Sequence, residues 1–163
     1  MMRPESLQER YSPSGVCFGC GPANEHGLKI RSFLEGGRVV ARWTPSPYHH
    51  AFGEFLNGGI ISTVLDCHSC WAGAYSLMLE AGTKTPPATV TSSFLVEFLK
   101  PTPIGPLLLE ANVIEVSGRK AVIASSLKAH EEVTATLRGT FVAVGPKHPA
   151  ARRWTEKSGR PVR

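Results

Sequence analysis

The sequence predicts an α+β fold in which one long helix is wrapped by an antiparallel sheet of roughly six strands. Three observations predict it. A segment without proline, from Ile60 to about Glu80, is apolar on every side. Segments of alternating polarity follow it as far as Val144, and the turns between the later ones are short. A helix apolar all round is either buried or in a membrane; this one is interrupted too often to span a bilayer, so a sheet must cover it.

Each element follows from local residues. Met1 to Ser14 is polar, with Pro4 and Pro13, and reads as part of a loose arm over residues 1–16. Gly27–Leu34 and Arg38–Trp43 read as strands around a Glu35-Gly36-Gly37 hairpin turn. Thr44–Glu54, with Pro45, Pro47 and the pair His49-His50, reads as irregular. Asn57 is a suitable N-cap, which puts Gly58 and Gly59 in the first helical turn. Ile60, Ile61, Val64, Leu65, Trp71, Ala72, Ala74, Tyr75, Leu77 and Met78 then leave no continuous polar stripe over five to six turns.

Beyond the helix, Thr89–Leu99 alternates, with Val90, Ser92, Phe94, Val96 and Phe98 assigned to one face. Leu107–Val116, Lys120–Ala129 and Val133–Val144 complete a four-stranded meander, the first two joined at Ser117-Gly118. Short connections imply antiparallel neighbours. The organisation expected is an arm (1–16), one domain (17–144) and a basic tail (145–163).

Composition narrows the function. With 163 residues, 42% hydrophobic and 19% charged, the chain is long enough for one domain with a real core. The net charge of +5 would suit a nucleic-acid binder, but six basic residues against Glu156 alone lie in the tail, and the remainder is neutral. Nucleic acid and membrane are therefore not expected partners. No secretory signal pattern is visible at the start, so a soluble, cytoplasmic protein is expected.

The chemistry centres on Asp66, because a carboxylate on a buried helix is costly unless paired or hydrogen-bonded. Partial burial is expected to raise its pKa and make it a better base. At the helix start, the amides of Gly58 and Gly59 lack intrahelical partners and sit at the positive end of the dipole. Eight residues separate Gly58 from Asp66, about 12 Å along one helix, so one carbonyl cannot touch both. Two such helices running antiparallel about a two-fold axis would bring them together, which requires a dimer.

Two Cys-x-x-Cys pairs, Cys17/Cys20 and Cys67/Cys70, raise the question of zinc. The second pair lies in the buried helix, where a closed site of four thiolates conflicts with packing. The expectation is reduced core cysteines and no metal. His68 is read as a packed core histidine.

Cys17-Phe18-Gly19-Cys20-Gly21 with Asn24 and Gly27-Leu28, then Leu56-Asn57-Gly58-Gly59-Ile60-Ile61 and Leu65-Asp66, resembles the hot-dog acyl-CoA thioesterases of the phenylacetate-degradation (PaaI-like) type. The resemblance implies a homodimer, often paired into a tetramer. It further implies that Gly58 donates its N–H to the thioester oxygen and that Asp66 of the partner acts as general base or nucleophile. Thr91 matches a hydroxyl position that holds water near the acid. Asn57 stands where many members have His and cannot titrate. Ala51 stands where some place an amide side chain, a contact for which His49, His50 or Glu54 could substitute. Gly59, His50 and Ser92 are further candidates for contacting substrate, and Lys100, Arg119 and Lys120 for the coenzyme A phosphates. Thiolate is a good leaving group, so oxyanion stabilisation, typically ~3–4 kcal/mol from one donor, and a base suffice. No separate cofactor is expected, coenzyme A arriving with the substrate. A non-catalytic acyl-CoA or acyl-ligand binder and a zinc-organised interaction module are the alternatives.

Overall fold

The computed structural model describes residues 3–154. It opens with α1 (Leu7–Tyr11), where Ser6 and Glu9 form a reciprocal capping box. So short a helix cannot stand alone, and here it is docked. Ser6, Leu7 and Gln8 are buried, and the Gln8 side chain bonds both to the Ser32 hydroxyl and to its backbone N–H. The segment expected as a loose arm is therefore packed, at least over these residues.

β1 (Phe33–Glu35) and β2 (Arg38–Trp43) form the expected hairpin, with Gly36 and Gly37 both at positive φ as a two-residue turn of this hand requires. The strand expected from Gly27 is much shorter. Leu28 and Ile30 donate to the carbonyls of Phe18 and Gly19, so this stretch is bonded to the cysteine-bearing loop instead of the sheet. The segment expected as irregular, Thr44–Glu54, contains a 3₁₀ turn (Pro47–His49) and β3 (His50–Phe52), which forms a small hairpin with β4 (Phe55–Leu56) just beyond it.

α2 (Gly58–Ala81) has 24 residues and so runs about 36 Å. Every residue from Cys67 to Ala74 is buried, which is the all-round burial its composition calls for. Asn57 caps its start, and Gly82 ends it in the left-handed conformation.

β5 (Thr89–Phe98), β6 (Leu107–Ser117), β7 (Lys120–Ala129) and β8 (Glu132–Ala143) complete one antiparallel six-stranded sheet of order β1-β2-β6-β7-β8-β5. Its inner face lays Leu109, Ile123, Leu127, Leu137 and Phe141 against the helix. A buried hydroxyl pair, Ser69 on α2 and Ser125 on β7, 2.7 Å apart, is one polar tie across this layer.

β5 departs from the simple alternation. Its register with β8 shifts between Thr91 and Ser93, leaving Ser92 as the extra residue of a bulge. Thr89 and Thr91 pair with the inward Ala143 and Phe141, whereas beyond the bulge Phe94, Val96 and Phe98 pair with the inward Gly139, Leu137 and Ala135. Val90 and Ser92 thus leave the face assigned to them, and Thr91 joins it. β5 is also an edge, paired on one side only.

Candidate active site

The start of α2 divides its free amides between folding and space. Asn57 Oδ1 accepts from the N–H of Gly59 at 2.8 Å and of Ile60 at 3.2 Å. The Gly59 amide, a substrate-binding candidate on sequence grounds, is therefore occupied by the cap. The Gly58 amide precedes both, and no acceptor engages it among the described residues. Gly58 lines a pocket of about 340 Å³ together with Phe52, Phe55, Ile61, Phe98 and Lys100. A Cβ at Gly58 would come within 3.3 Å of the Phe98 ring, so the position leaves little room for a side chain.

Asp66 lies two turns further along α2 and is half-buried. The Thr91 hydroxyl donates to its Oδ1 at 2.7 Å, a charge-assisted bond that the Ser92 bulge makes possible by turning Thr91 inward. Within one chain the acid is absent from the walls of the Gly58 pocket. The helical rise puts about 12 Å between the two positions.

The remaining candidates are scattered. Lys100 borders the pocket, with its ammonium 3.2 Å from Glu132. Arg119 and Lys120 stand at the other end of the sheet. Leu99 and Lys100 bond to Thr134, whereas Lys120 pairs with Val142, and eight strand residues span about 27 Å. His50 is exposed on β3 and does not line the pocket. Ser92 is exposed at the bulge. Ala51 lies on the pocket wall and offers only a methyl group. His49 is held elsewhere, stacked on Trp43 and accepting from Ser46 N–H.

His68 is a core group. Its ring is fully buried, with Nδ1 2.8 Å from Ser32 Oγ and Nε2 3.2 Å from the Val39 carbonyl. A carbonyl only accepts, so Nε2 carries the proton and Nδ1 accepts from the Ser32 hydroxyl. Burial pushes its pKa down to about 4, keeping it neutral.

The cysteines regroup across the sequence pairs. Cys17, Cys20 and Cys67 converge, all three sulfurs lying within 4.8 Å of one another. Cys70 points away, its thiol 3.7 Å from the Thr89 carbonyl. A four-cysteine centre is therefore excluded by geometry. Hydrogen bonding to Cys17, with burial, pushes the Cys20 thiol up to about 11, and Cys67 is raised well above its ordinary value by hydrogen bonds to Cys17 and Cys20.

Sequence reasoning missed the aromatic wall of the pocket. Phe52, Phe55 and Phe98 were legible only as apolar residues in loops and on a strand. Their exposure on the folded surface, from 36% for Phe55 to 65% for Phe52, is what marks them.

Comparison with known proteins bears on this geometry. Residues 53–136, which contain the pocket glycine, the acid and the strands around them, match the family model described as Thioesterase superfamily. The chain belongs to the thioesterase superfamily. A thioesterase superfamily protein from Shewanella loihica shares 30% identity with it over 76% of this chain and 98% of that one, with a TM-score of 0.60. PaaI of the Escherichia coli phenylacetic acid degradation operon, 19% identical over 72% of this chain and 81% of its own, has the same fold with a TM-score of 0.59. So does a Streptococcus mutans protein bound to acetyl CoA, 19% identical over 71% of this chain and 89% of its own, again with a TM-score of 0.59. No curated protein matches. The long helix on a six-stranded antiparallel sheet is thus the hot-dog fold of this thioesterase superfamily member.

Proposed function

We propose that this protein hydrolyses an acyl-CoA thioester to the free acid and coenzyme A, at a site shared between two copies. The observation that carries the reading is the uncapped Gly58 amide on the wall of an apolar pocket at the positive end of a 24-residue helix. The thioester oxygen would accept from that amide as it becomes an oxyanion. Asp66 of the second copy would either take a proton from water or attack the carbonyl carbon itself. Thr91 fixes the acid's orientation. In the first case water adds, the C–S bond breaks and coenzyme A leaves as the thiolate. In the second the acyl group passes to Asp66 as a mixed anhydride while the thiolate leaves, and water then cleaves the anhydride to the free acid and the restored carboxylate.

β5 supports the dimer. A ten-residue edge carrying exposed Phe94, Leu95 and Phe98 is a template for another strand. Its two ends carry the two halves of the chemistry, since Thr91 holds Asp66 and Phe98 packs beside Gly58. Antiparallel pairing of two β5 strands, with Thr91 of one copy opposite Phe98 of the other, sets the acid of each beside the amide of its mate. The same symmetry carries Arg119 and Lys120 of one copy toward Lys100 of the other, where together they could meet the coenzyme A phosphates. A dimer of dimers is compatible with this arrangement. Among the described residues no helix is long and apolar enough to cross a membrane. Four free cysteines suit the reducing cytoplasm in which we place the protein.

The test is complementation. Asp66→Asn removes the acid. Gly58→Pro removes the amide proton at the first helical position, where the missing N–H costs no helix bond, and the exposed Phe98 ring must shift to admit it. Each variant alone should lose roughly 10²–10⁴ in rate on an acyl-CoA panel read by thiol release. An equal mixture, allowed to exchange subunits, should regain about a quarter of the wild-type sites, because half the dimers are mixed and each has one intact site. Full activity of Asp66→Asn, or a mixture as inactive as its parts, would defeat the shared site. A second reading, an acyl-CoA binder without turnover, is favoured by the untitratable Asn57 and the methyl group of Ala51. Tight acyl-CoA binding with no thiol released would decide for it.

A further inference from the structure

The thioesterase reading makes no use of the Cys17–Cys20–Cys67 cluster, although the fold builds it from two distant segments. Cys17 and Cys20 come from the loop before β1, and Cys67 from α2, directly after the candidate catalytic acid. Cys17 Sγ lies 3.7 Å from Cys67 Sγ, and no two of the three sulfurs are more than 4.8 Å apart. A tetrahedral ion with metal–sulfur bonds of about 2.3 Å needs sulfurs about 3.8 Å apart, and a trigonal one about 4.0 Å. One pair already meets this spacing. The rest need close by no more than about 1 Å.

Burial and mutual hydrogen bonding hold the metal-free thiols protonated, and two nearby groups would offset the charge of the thiolates that an ion creates. The Trp71 indole N–H donates to Cys20 Sγ at 3.4 Å. The Arg31 guanidinium donates to the Cys20 carbonyl at 3.1 Å, placing a positive charge against the loop. The loop is pressed onto the helix at the sulfurs. A Cβ at Gly19 would lie 2.4 Å from Cys67 Sγ, and one at Gly21 would lie 2.4 Å from the Cys17 nitrogen. Cys20 and Cys67 are buried while Cys17 is half-exposed, which gives an ion a way in.

We propose that Cys17, Cys20 and Cys67 bind one thiophilic d¹⁰ cation, zinc or copper(I), that staples the N-terminal loop to the central helix. Binding replaces three S–H protons with three metal–sulfur bonds and releases three protons per ion. Zinc would take its fourth ligand from solvent on the Cys17 side, whereas copper(I) is satisfied by three thiolates. The Trp71 N–H and the Arg31 charge would offset the resulting negative centre. No fourth cysteine, histidine or carboxylate joins the group among the described residues.

The experiment loads the full-length, reduced, metal-free protein with zinc in one arm and copper(I) in the other. Native mass spectrometry counts the ions, and X-ray absorption counts the sulfurs. We expect one ion per chain, bound by three sulfurs at about 2.3 Å in whichever arm the site accepts. Cys70→Ser should bind as the wild type does, and Cys17→Ser, at the most exposed of the three ligands, should lose affinity at least tenfold. Circular dichroism establishes that each variant is folded. Should Cys17→Ser fail to fold, the sulfur count on the wild type still decides. Less than about a tenth of an ion per chain in both arms would overturn the proposal. Equal loss on Cys70→Ser would overturn it too, as would a reduced protein that binds neither metal yet forms a Cys17–Cys67 disulfide with peroxide.

Discussion

Acidification should destabilise this fold through one side chain, His68. Its ring is buried and neutral, with a pKa of about 4 against an ordinary value of 6.5. Protonating it in place would add a proton at Nδ1, where the Ser32 hydroxyl now donates. The Ser32 oxygen already accepts from Gln8, so the hydroxyl proton would be left without its acceptor. The unfolded chain has no such restriction and takes up its proton near pH 6.5. Below that pH the unfolded state therefore binds more protons than the folded state, and stability falls as pH falls. The contribution is fully present above about pH 6.5 and is lost progressively toward pH 4. Linkage between these two pKa values gives a loss of about 2 kcal/mol from pH 8 to pH 5. The carboxylates with lowered pKa, Glu9, Glu35 and Glu110, lose their contribution only as pH falls through their ordinary 4.5, below the interval from pH 8 to 5. Urea unfolding at half-unit pH steps measures the effect, and a midpoint drop of about 1 M is expected for a domain of this size. His68→Gln should flatten the slope between pH 6.5 and 5, whatever it does to absolute stability. A wild-type midpoint constant over that range, or a variant that keeps the slope, would refute the assignment of a buried neutral imidazole.

Three further outcomes follow from the packing. Thr91→Val removes the hydroxyl bonded to Asp66 and should lower turnover about tenfold or more, the loss of one charge-assisted hydrogen bond, with thioester hydrolysis as the readout. Gly73→Ala should destabilise by about 1 kcal/mol or more in urea, although alanine is the better helix former. Its Cβ would meet the Phe141 Cβ at 3.2 Å, an atom held by the β8 backbone. The β7–β8 turn places His130 and Glu131 at positive φ, so His130→Asn with Glu131→Gly should raise stability by roughly 1 kcal/mol, measured by thermal unfolding.

The helix and meander were legible because their signals are local. Ile60 to Met78 could not present a polar stripe, and Lys120–Ala129 alternates without interruption. The cap at Asn57 and the core role of His68 were readable for the same reason. Where the reading failed, distant parts of the chain decide the outcome. Leu28 and Ile30 look like strand residues, yet the loop at Phe18-Gly19 takes their hydrogen bonds before the sheet can. Leu7 and Gln8 look like a loose end until Ser32 and the core receive them. The sulfurs of Cys17 and Cys67 are 50 residues apart in the chain, and pairing each cysteine with its Cys-x-x-Cys neighbour hid their convergence. The Ser92 bulge left no mark, because an extra residue in a strand reads as ordinary alternation until its partner strand is known.

That inserted residue has a consequence of its own. On one side of it β5 turns odd-numbered side chains toward the helix, and on the other side even-numbered ones. Were the same residues paired without the bulge, strict two-residue phase would return. To keep Phe94, Val96 and Phe98 on the helix-side face, Thr91 would then have to rotate outward and release the acid; to keep Thr91, Leu95 and Glu97 would have to turn to that face. The hold on Asp66 and the packing in this strand thus obey opposite parities, reconciled at a single exposed position.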